Sequence, residues 1–213
     1  MYGVLLFDLD GTLTDSERGI LNSVSYALEK YGIEYTDREA LRCFIGPPLI
    51  EMFRKKFDVS EDVARELVRL YREYFSTRGL YENDIYDGIK DLLAELKSMG
   101  KRLIVATSKP EHFATKILEH FELSEYFEVI AGATMDETRT AKADVIKYAL
   151  DTCKISDTND AVMIGDREYD ILGARKFQMD SIGVLYGYGS LEELTNAGAT
   201  YIAESVSDIL KFI

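Results

Sequence analysis

The stretch Val4-Leu5-Leu6-Phe7-Asp8-Leu9-Asp10-Gly11-Thr12 carries the decision about the fold. Its short, unbroken apolar run, closed at once by a polar turn, reads as a strand buried on both faces, the kind found inside parallel sheets. Just downstream, Ile20, Leu21, Val24, Ala27 and Leu28 recur at helical spacing within 16–31, and the pattern stops at Gly32, a residue suited to ending a helix. From 36 to about 79 the pattern stays helical and charged, broken at Gly46-Pro47-Pro48 and near Asp58-Val59-Ser60. Beyond Tyr81 strands and helices alternate: helix 89–99, strand 103–106, helix 111–121, strand 129–131, helix 142–151 and strand 161–164. Helix 169–177, strand 181–185, a short helix near Leu191, strand 201–202 and a last helix complete the series. This alternation predicts an α/β fold, a parallel sheet with helices on both faces. The connection from the first strand to the rest is far longer than one crossover helix requires. Residues 15–81 are therefore expected to form an α-helical cap inserted into a core made of 1–14 and 82–213.

Composition narrows the partners. Across 213 residues, 46% are hydrophobic, enough for a folded core, and the formal net charge is -13. That charge opposes binding to a nucleic-acid polymer or an anionic membrane surface. It leaves room for a small anionic ligand if a metal and local Lys or Arg residues reverse the field in one cleft. Cys43 and Cys153 lie far apart and form no metal-binding pair, which fits a reduced, cytoplasmic protein. The N-terminal run lacks the basic region of a signal peptide, and no apolar run approaches membrane-spanning length. A soluble, unprocessed monomer or homodimer is expected.

In an open parallel sheet the ligand site lies at the carboxyl ends of the strands. Polar signals fall at those ends in four separate stretches: Asp8 and Asp10; Thr107-Ser108-Lys109; Lys142 opening a helix; and Gly165-Asp166-Arg167-Glu168-Tyr169-Asp170. Residues two apart in extended chain point to one side, so Asp8 and Asp10 can face one cleft. Carboxylates that close repel unless a cation sits between them. With Asp166 and Asp170 added, an all-oxygen set points to magnesium, which shares its coordination with substrate phosphates. Thr107 or Ser108 can supply a hydroxyl to a phosphoryl group, Lys142 a point charge, and the turn amides around Leu9, Gly11 and Thr12 further donors. With no Cys or His beside these donors, a carboxylate is the available nucleophile.

Four segments resemble, in order, the four motifs of the haloacid dehalogenase (HAD) superfamily: Phe7-Asp8-Leu9-Asp10-Gly11-Thr12-Leu13, Val105-Ala106-Thr107-Ser108-Lys109-Pro110, Lys142, and Ile164 through Asp170. The resemblance covers the whole chain and is greatest to phosphatases with an α-helical cap between the first and second motifs. It implies a Rossmann-like, doubly wound parallel sheet. Phe44-Ile45-Gly46-Pro47-Pro48-Leu49, residues 136–142 and Gly183-Val184-Leu185-Tyr186-Gly187-Tyr188-Gly189 draw it toward the 5'-nucleotidase-like group, near the phosphoglycolate phosphatases.

The resemblance implies that Asp8 attacks phosphorus and Asp10 protonates the leaving oxygen, then activates water. It further implies that Thr107 holds a phosphoryl oxygen, with Ser108 beside it, and that Lys142 neutralises nucleophile and phosphate. Asp166 would bind Mg2+ with Asp8 and the carbonyl of Asp10, and Asp170 would orient metal-bound water. Gly11 would lend its backbone to the phosphoryl site. An acid at position 10 favours a phosphatase over the dehalogenases, which lack it there. The third motif departs from the usual pattern, since Lys142 is followed by Ala143-Asp144 in place of Lys-Pro-x-Pro, with Arg139 and Lys147 as nearby cations. The expected activity is Mg2+-dependent hydrolysis of a small phosphorylated metabolite, a nucleoside 5'-monophosphate first, then phosphoglycolate or pyrophosphate. A phosphomutase or a non-catalytic binding module are the readings of another class.

Each signal has a plainer reading. Asp-x-Asp at a strand end is often turn chemistry, Thr107-Ser108 a helix cap, Lys142 a solvated charge, and Asp170 part of a solvated helix face. His112 and His120 read as surface residues, and the cysteines as packing residues. Tyr71, Tyr74 and Phe75 read first as helix packing and second as a base-binding pocket.

Overall fold

The computed structural model describes residues 2–136 and 138–213, and its chain divides into two compact units, 1–15 with 85–213 and 16–84. The larger unit is built on a six-stranded sheet: β1 (Val4–Phe7), β4 (Arg102–Pro110), β5 (Val129–Ala133), β6 (Ala161–Gly165), β7 (Asp180–Val184) and β8 (Tyr201–Ala203), in the order β5-β4-β1-β6-β7-β8. All the neighbouring pairs are parallel. Short strands β2 (Thr14–Asp15) and β3 (Asp84–Ile85) form a separate two-stranded ribbon that the sequence pattern does not announce.

Alternating residues of the central strands explain why β1 is apolar throughout. Val4, Leu6, Ile104, Ala106, Ala161 and Met163 share a buried cluster with Val145, Ile146 and Ala149 of α6 (Lys142–Thr152) and Ala174 of α7 (Glu168–Arg175). Leu5, Phe7, Leu103, Val105, Val162 and Ile164 point the other way and are equally buried, so both faces are covered. Phe7 meets Phe127 edge to face with ring centres 6.2 Å apart. Truncating a side chain such as Leu6 to Ala in this setting costs about 2–5 kcal/mol. The remaining helices of this unit are α4 (Ile89–Ser98), α5 (Glu111–His120) and α8 (Leu191–Ala197).

The smaller unit is helical: α1 (Glu17–Tyr31), a 3₁₀ turn Glu39–Phe44, α2 (Leu49–Phe57) and α3 (Glu61–Tyr74), which runs on into a wider π turn, Phe75–Gly79. Ser60 caps α3 by accepting a hydrogen bond from the Val63 amide. Tyr71 and Phe75 are buried and stacked, and Phe44 packs on Phe53, so these aromatics serve the unit's own core. Two expectations need correction. The strand expected to stop at 106 continues as extended chain to Pro110, with a register shift between Ala106 and Pro110. The last helix is a 3₁₀ segment, Val206–Phe212, started by Ser205 and Asp208. No helix among the described residues is long and apolar enough to cross a membrane.

Candidate active site

The strand order reverses direction at β1: from there the chain steps to β4 and β5 on one side, then returns to β6, β7 and β8 on the other. The carboxyl ends of β1, β4 and β6 thus lie side by side, where such sheets bind ligands. Asp8 follows β1 and continues its ladder, donating its amide to the Ile164 carbonyl at 2.9 Å. Asp166 follows β6, and Asp170 lies in the first turn of α7, one of its oxygens accepting from the Arg167 amide at 3.1 Å. The carboxylates of Asp8, Asp166 and Asp170 are buried and offer oxygens within 4.8 Å of one another. Asp170 is 0% exposed, which removes the solvated-face reading.

Lys142, the first residue of α6, joins this group. Its Nζ lies 2.8 Å from Asp8 Oδ1 and 2.7 Å from Asp170 Oδ1, and donates to the Ala106 carbonyl at 3.0 Å. The approach to the carboxylates is ionic in distance, without the angles of a good hydrogen bond at Asp8 Oδ1 or Asp170 Oδ1. Burial pulls the Lys142 ammonium down, but the Asp170 and Asp8 charges outweigh it, so its net shift is upward. Burial raises Asp170, with Lys142 pulling against the rise. Burial also pushes Asp166 well above the ordinary carboxylate range, and the Asp170 and Asp8 charges add to that. The other cations near the third motif are spent elsewhere: Arg139 pairs with Glu111 and lies over the Tyr148 ring, and Lys147 pairs with Asp151 at the surface.

Asp166 Oδ2 accepts from the Tyr188 amide at 2.8 Å, whereas its buried Oδ1 has no hydrogen-bond partner. A buried carboxylate oxygen left in that state is costly unless a cation meets it. An all-carboxylate donor set with one orphaned oxygen fits a hard divalent ion such as Mg2+.

Asp10 takes a different course. Both its oxygens lie 2.6 Å from Lys109 Nζ, and both side chains are buried. Thr107, buried on the extended end of β4, accepts from the Lys109 amide at 3.2 Å, and Ser108 is half-buried beside it. Gly11 adopts φ +86, and a Cβ there would lie 2.1 Å from Asp166 Oδ2. Its amide, expected to face a phosphoryl group, instead donates to the Thr14 carbonyl at 2.8 Å, and the Thr12 amide to the Leu9 carbonyl. Gly11 therefore contributes space for Asp166 and not a donor.

Two contacts of residues that the sequence singles out could not be read from it. Lys109 reads there as one of the polar residues at the strand end and as part of the second motif, with no sign that it turns back to Asp10. The loop after β7 is bound to the turn that follows β1: Tyr186 donates to the Thr12 carbonyl at 3.0 Å and Tyr188 to Asp15 Oδ1 at 2.8 Å. The sequence marks that loop by its alternating Tyr-Gly-Tyr-Gly and by the family resemblance of 183–189, neither of which foretells these bonds.

The chain is similar to known proteins along most of its length. The family model described as haloacid dehalogenase-like hydrolase matches residues 5–184. A protein of Pseudomonas aeruginosa named 5'-nucleotidase is 46% identical over 193 residues, 91% of this chain and 87% of that protein. Tyrosine-protein kinase PtkA of Mycobacterium bovis is 39% identical over 204 residues, 96% of this chain and 69% of the kinase. Among solved structures, one described as a predicted phosphatase from Clostridium acetobutylicum matches with a TM-score of 0.96 and 50% identity, covering 100% of this chain and 98% of that one.

Proposed function

Because the chain belongs to the haloacid dehalogenase-like hydrolases and is a phosphatase among them, we propose that it hydrolyses a small phosphorylated metabolite through an aspartyl-phosphate on Asp8. The observation that carries this reading is the buried group of Asp8, Asp166 and Asp170, with one ammonium among its carboxylates and the Asp166 Oδ1 atom without a partner. A nucleoside 5'-monophosphate is the first substrate, supported by the name of the Pseudomonas aeruginosa relative. Phosphoglycolate and pyrophosphate follow.

In the first step an Asp8 oxygen bonds to phosphorus as the bond to the leaving oxygen breaks, and Asp10 gives that oxygen a proton. In the second step Asp10 takes a proton from water, the water oxygen bonds to phosphorus, and the Asp8–phosphorus bond breaks to release phosphate. Lys142 holds the Asp8 carboxylate in place against Asp170 and balances charge as the phosphoryl group arrives. Thr107 and Ser108 take the phosphoryl oxygens from the β4 side. Asp8, Asp166 and Asp170, with the Asp10 carbonyl, would hold Mg2+, which supplies neutralising charge to the phosphoryl oxygens when bound.

Phosphate release from nucleoside monophosphates, phosphoglycolate, pyrophosphate and sugar phosphates, with and without Mg2+, tests this reading. The Asp8→Asn variant is expected to lose activity by roughly 10⁴-fold or more, as removal of a nucleophile does. The kinase name of the mycobacterial relative adds one control, transfer from ATP to a tyrosine peptide. Equal turnover by Asp8→Asn would remove the aspartyl-phosphate, and activity indifferent to Mg2+ chelation would remove the metal.

A further inference from the structure

We propose that Tyr186-Gly187-Tyr188-Gly189, the loop after β7, is the positioning element of the metal site, setting the orientation of Asp166 by a backbone clamp. The proposal rests on the divalent-cation reading above and extends it to residues outside the carboxylate group. The clamp has three parts. The Tyr188 amide takes Asp166 Oδ2 at 2.8 Å and so leaves Oδ1 as the oxygen without a partner. The glycines on either side permit that approach: a Cβ on Gly187 would lie 2.3 Å from the Gly11 carbonyl oxygen and 2.5 Å from Asp166 Cβ. A Cβ on Gly189 would lie 1.8 Å from the Asp166 carbonyl oxygen. These neighbours are mainly backbone, so the collision cannot be relieved by a side-chain rotation.

The tyrosines fasten the clamp to the turn that carries Asp8 and Asp10. Tyr186 donates to the Thr12 carbonyl, its ring centre 5.0 Å from that of Tyr86, and Tyr188 donates to Asp15. The loop therefore links the ends of β1 and β6, the two strands that deliver Asp8 and Asp166. Losing a group that orients a metal ligand from behind typically costs about 10–100-fold in affinity, because a misaimed carboxylate loses bonding without relief of its burial cost.

The test is Mn2+ binding to the full chain, read from the free-ion paramagnetic resonance signal. Wild type, Gly187→Ala, Gly189→Ala and the double variant Tyr186→Phe with Tyr188→Phe are compared, with Asp166→Asn marking the site. Metal-free circular dichroism and thermal unfolding report folding. The expected result is about tenfold or greater loss of affinity in Gly187→Ala and a smaller loss in the double tyrosine variant, which keeps both rings and the Tyr188 amide. Metal-free melting of the tyrosine variant should stay near wild type. If either glycine variant fails to fold, the tyrosine variant decides alone. Folded variants that bind Mn2+ as tightly as wild type overturn the clamp while leaving the metal reading intact. Wild type that binds no Mn2+, or binds it equally after Asp166→Asn, overturns both.

Discussion

Two buried lysines stand at the same sheet edge and solve opposite problems. Lys142 is set among Asp8, Asp170 and the neighbouring Asp166, three carboxylates to one ammonium. Lys109 meets both oxygens of Asp10 at 2.6 Å, one ammonium to that one carboxylate. The first group is deficient in positive charge and the second is balanced. The difference separates a place built to receive a cation from a place built to hold a side chain still.

The largest effect is expected from breaking the unbalanced group. Lys142→Met leaves Asp8 and Asp170 without the ammonium that lies within 2.8 Å of both, and removal of one partner from a buried ionic group costs about 3–5 kcal/mol. Urea unfolding in the presence of a chelator should show that loss, together with loss of phosphatase turnover. A change below about 1 kcal/mol would mean that Lys142 is not what holds the carboxylates together. Arg at this position should not rescue, because its planar fork needs room that Lys142 does not have: a Cβ on Gly173 would already lie 2.9 Å from Lys142 Cγ.

Breaking the balanced pair should cost less, because it leaves one carboxylate without its partner where the first group leaves several crowded together. Lys109→Met is expected to destabilise the protein by about 1–3 kcal/mol, the penalty of one unsatisfied buried group. Its kinetic signature is sharper than its stability effect. If Lys109 fixes the orientation of the group that protonates the leaving oxygen, turnover of an alkyl phosphate should fall by roughly 10–100-fold. Turnover of p-nitrophenyl phosphate, whose leaving group needs little help from an acid, should fall less. Equal losses on both substrates would assign Lys109 to phosphoryl binding and not to Asp10.

These two lysines also mark how far the sequence can be read. Val4–Phe7 is legible as a strand because four consecutive apolar residues closed by a polar turn suit burial on two faces, and Leu5, Leu6 and Phe7 are each fully buried. The convergence of Asp8, Thr107 and Asp166 is legible because strand ends in a parallel sheet share one edge. Which cation joins them is legible only through the family resemblance, which names Lys142: spacing alone does not choose among 139, 142 and 147, and packing sends Arg139 to Glu111 and Lys147 to Asp151. Lys109 is hidden for a related reason. Its partner is 99 residues away, and the irregular extension of β4 past Ala106 that brings them together has no periodic signature. Gly11 misleads in the opposite direction: a glycine in a turn fits an amide donor and a steric vacancy equally well, and the hydrogen bond to Thr14 selects the second.

The smallest effect sharpens the contrast through the sign of a pH slope. Burial, with the charges of Asp170 and Asp8, raises Asp166 above its unfolded value, so the folded protein holds that proton more tightly. Its contribution to stability is therefore fully present below the ordinary carboxylate pKa of about 4 and is lost as pH rises through the raised folded value. In chelator, the melting temperature of wild type relative to Asp166→Asn should fall as pH increases from about 4 toward neutrality. With saturating Mg2+ the slope should reverse, because the ion binds the deprotonated carboxylates and displaces the proton. At a hundred times its dissociation constant the ion adds about 2.7 kcal/mol, or roughly 5–10 °C for a chain of this size. The Asp10–Lys109 pair contributes nothing to this reversal if it is charge-balanced, so Lys109→Met should shift the melting temperature with and without Mg2+ by the same amount. A reversal that disappears in Lys109→Met would place the cation against Asp10 and erase the distinction between the two lysines.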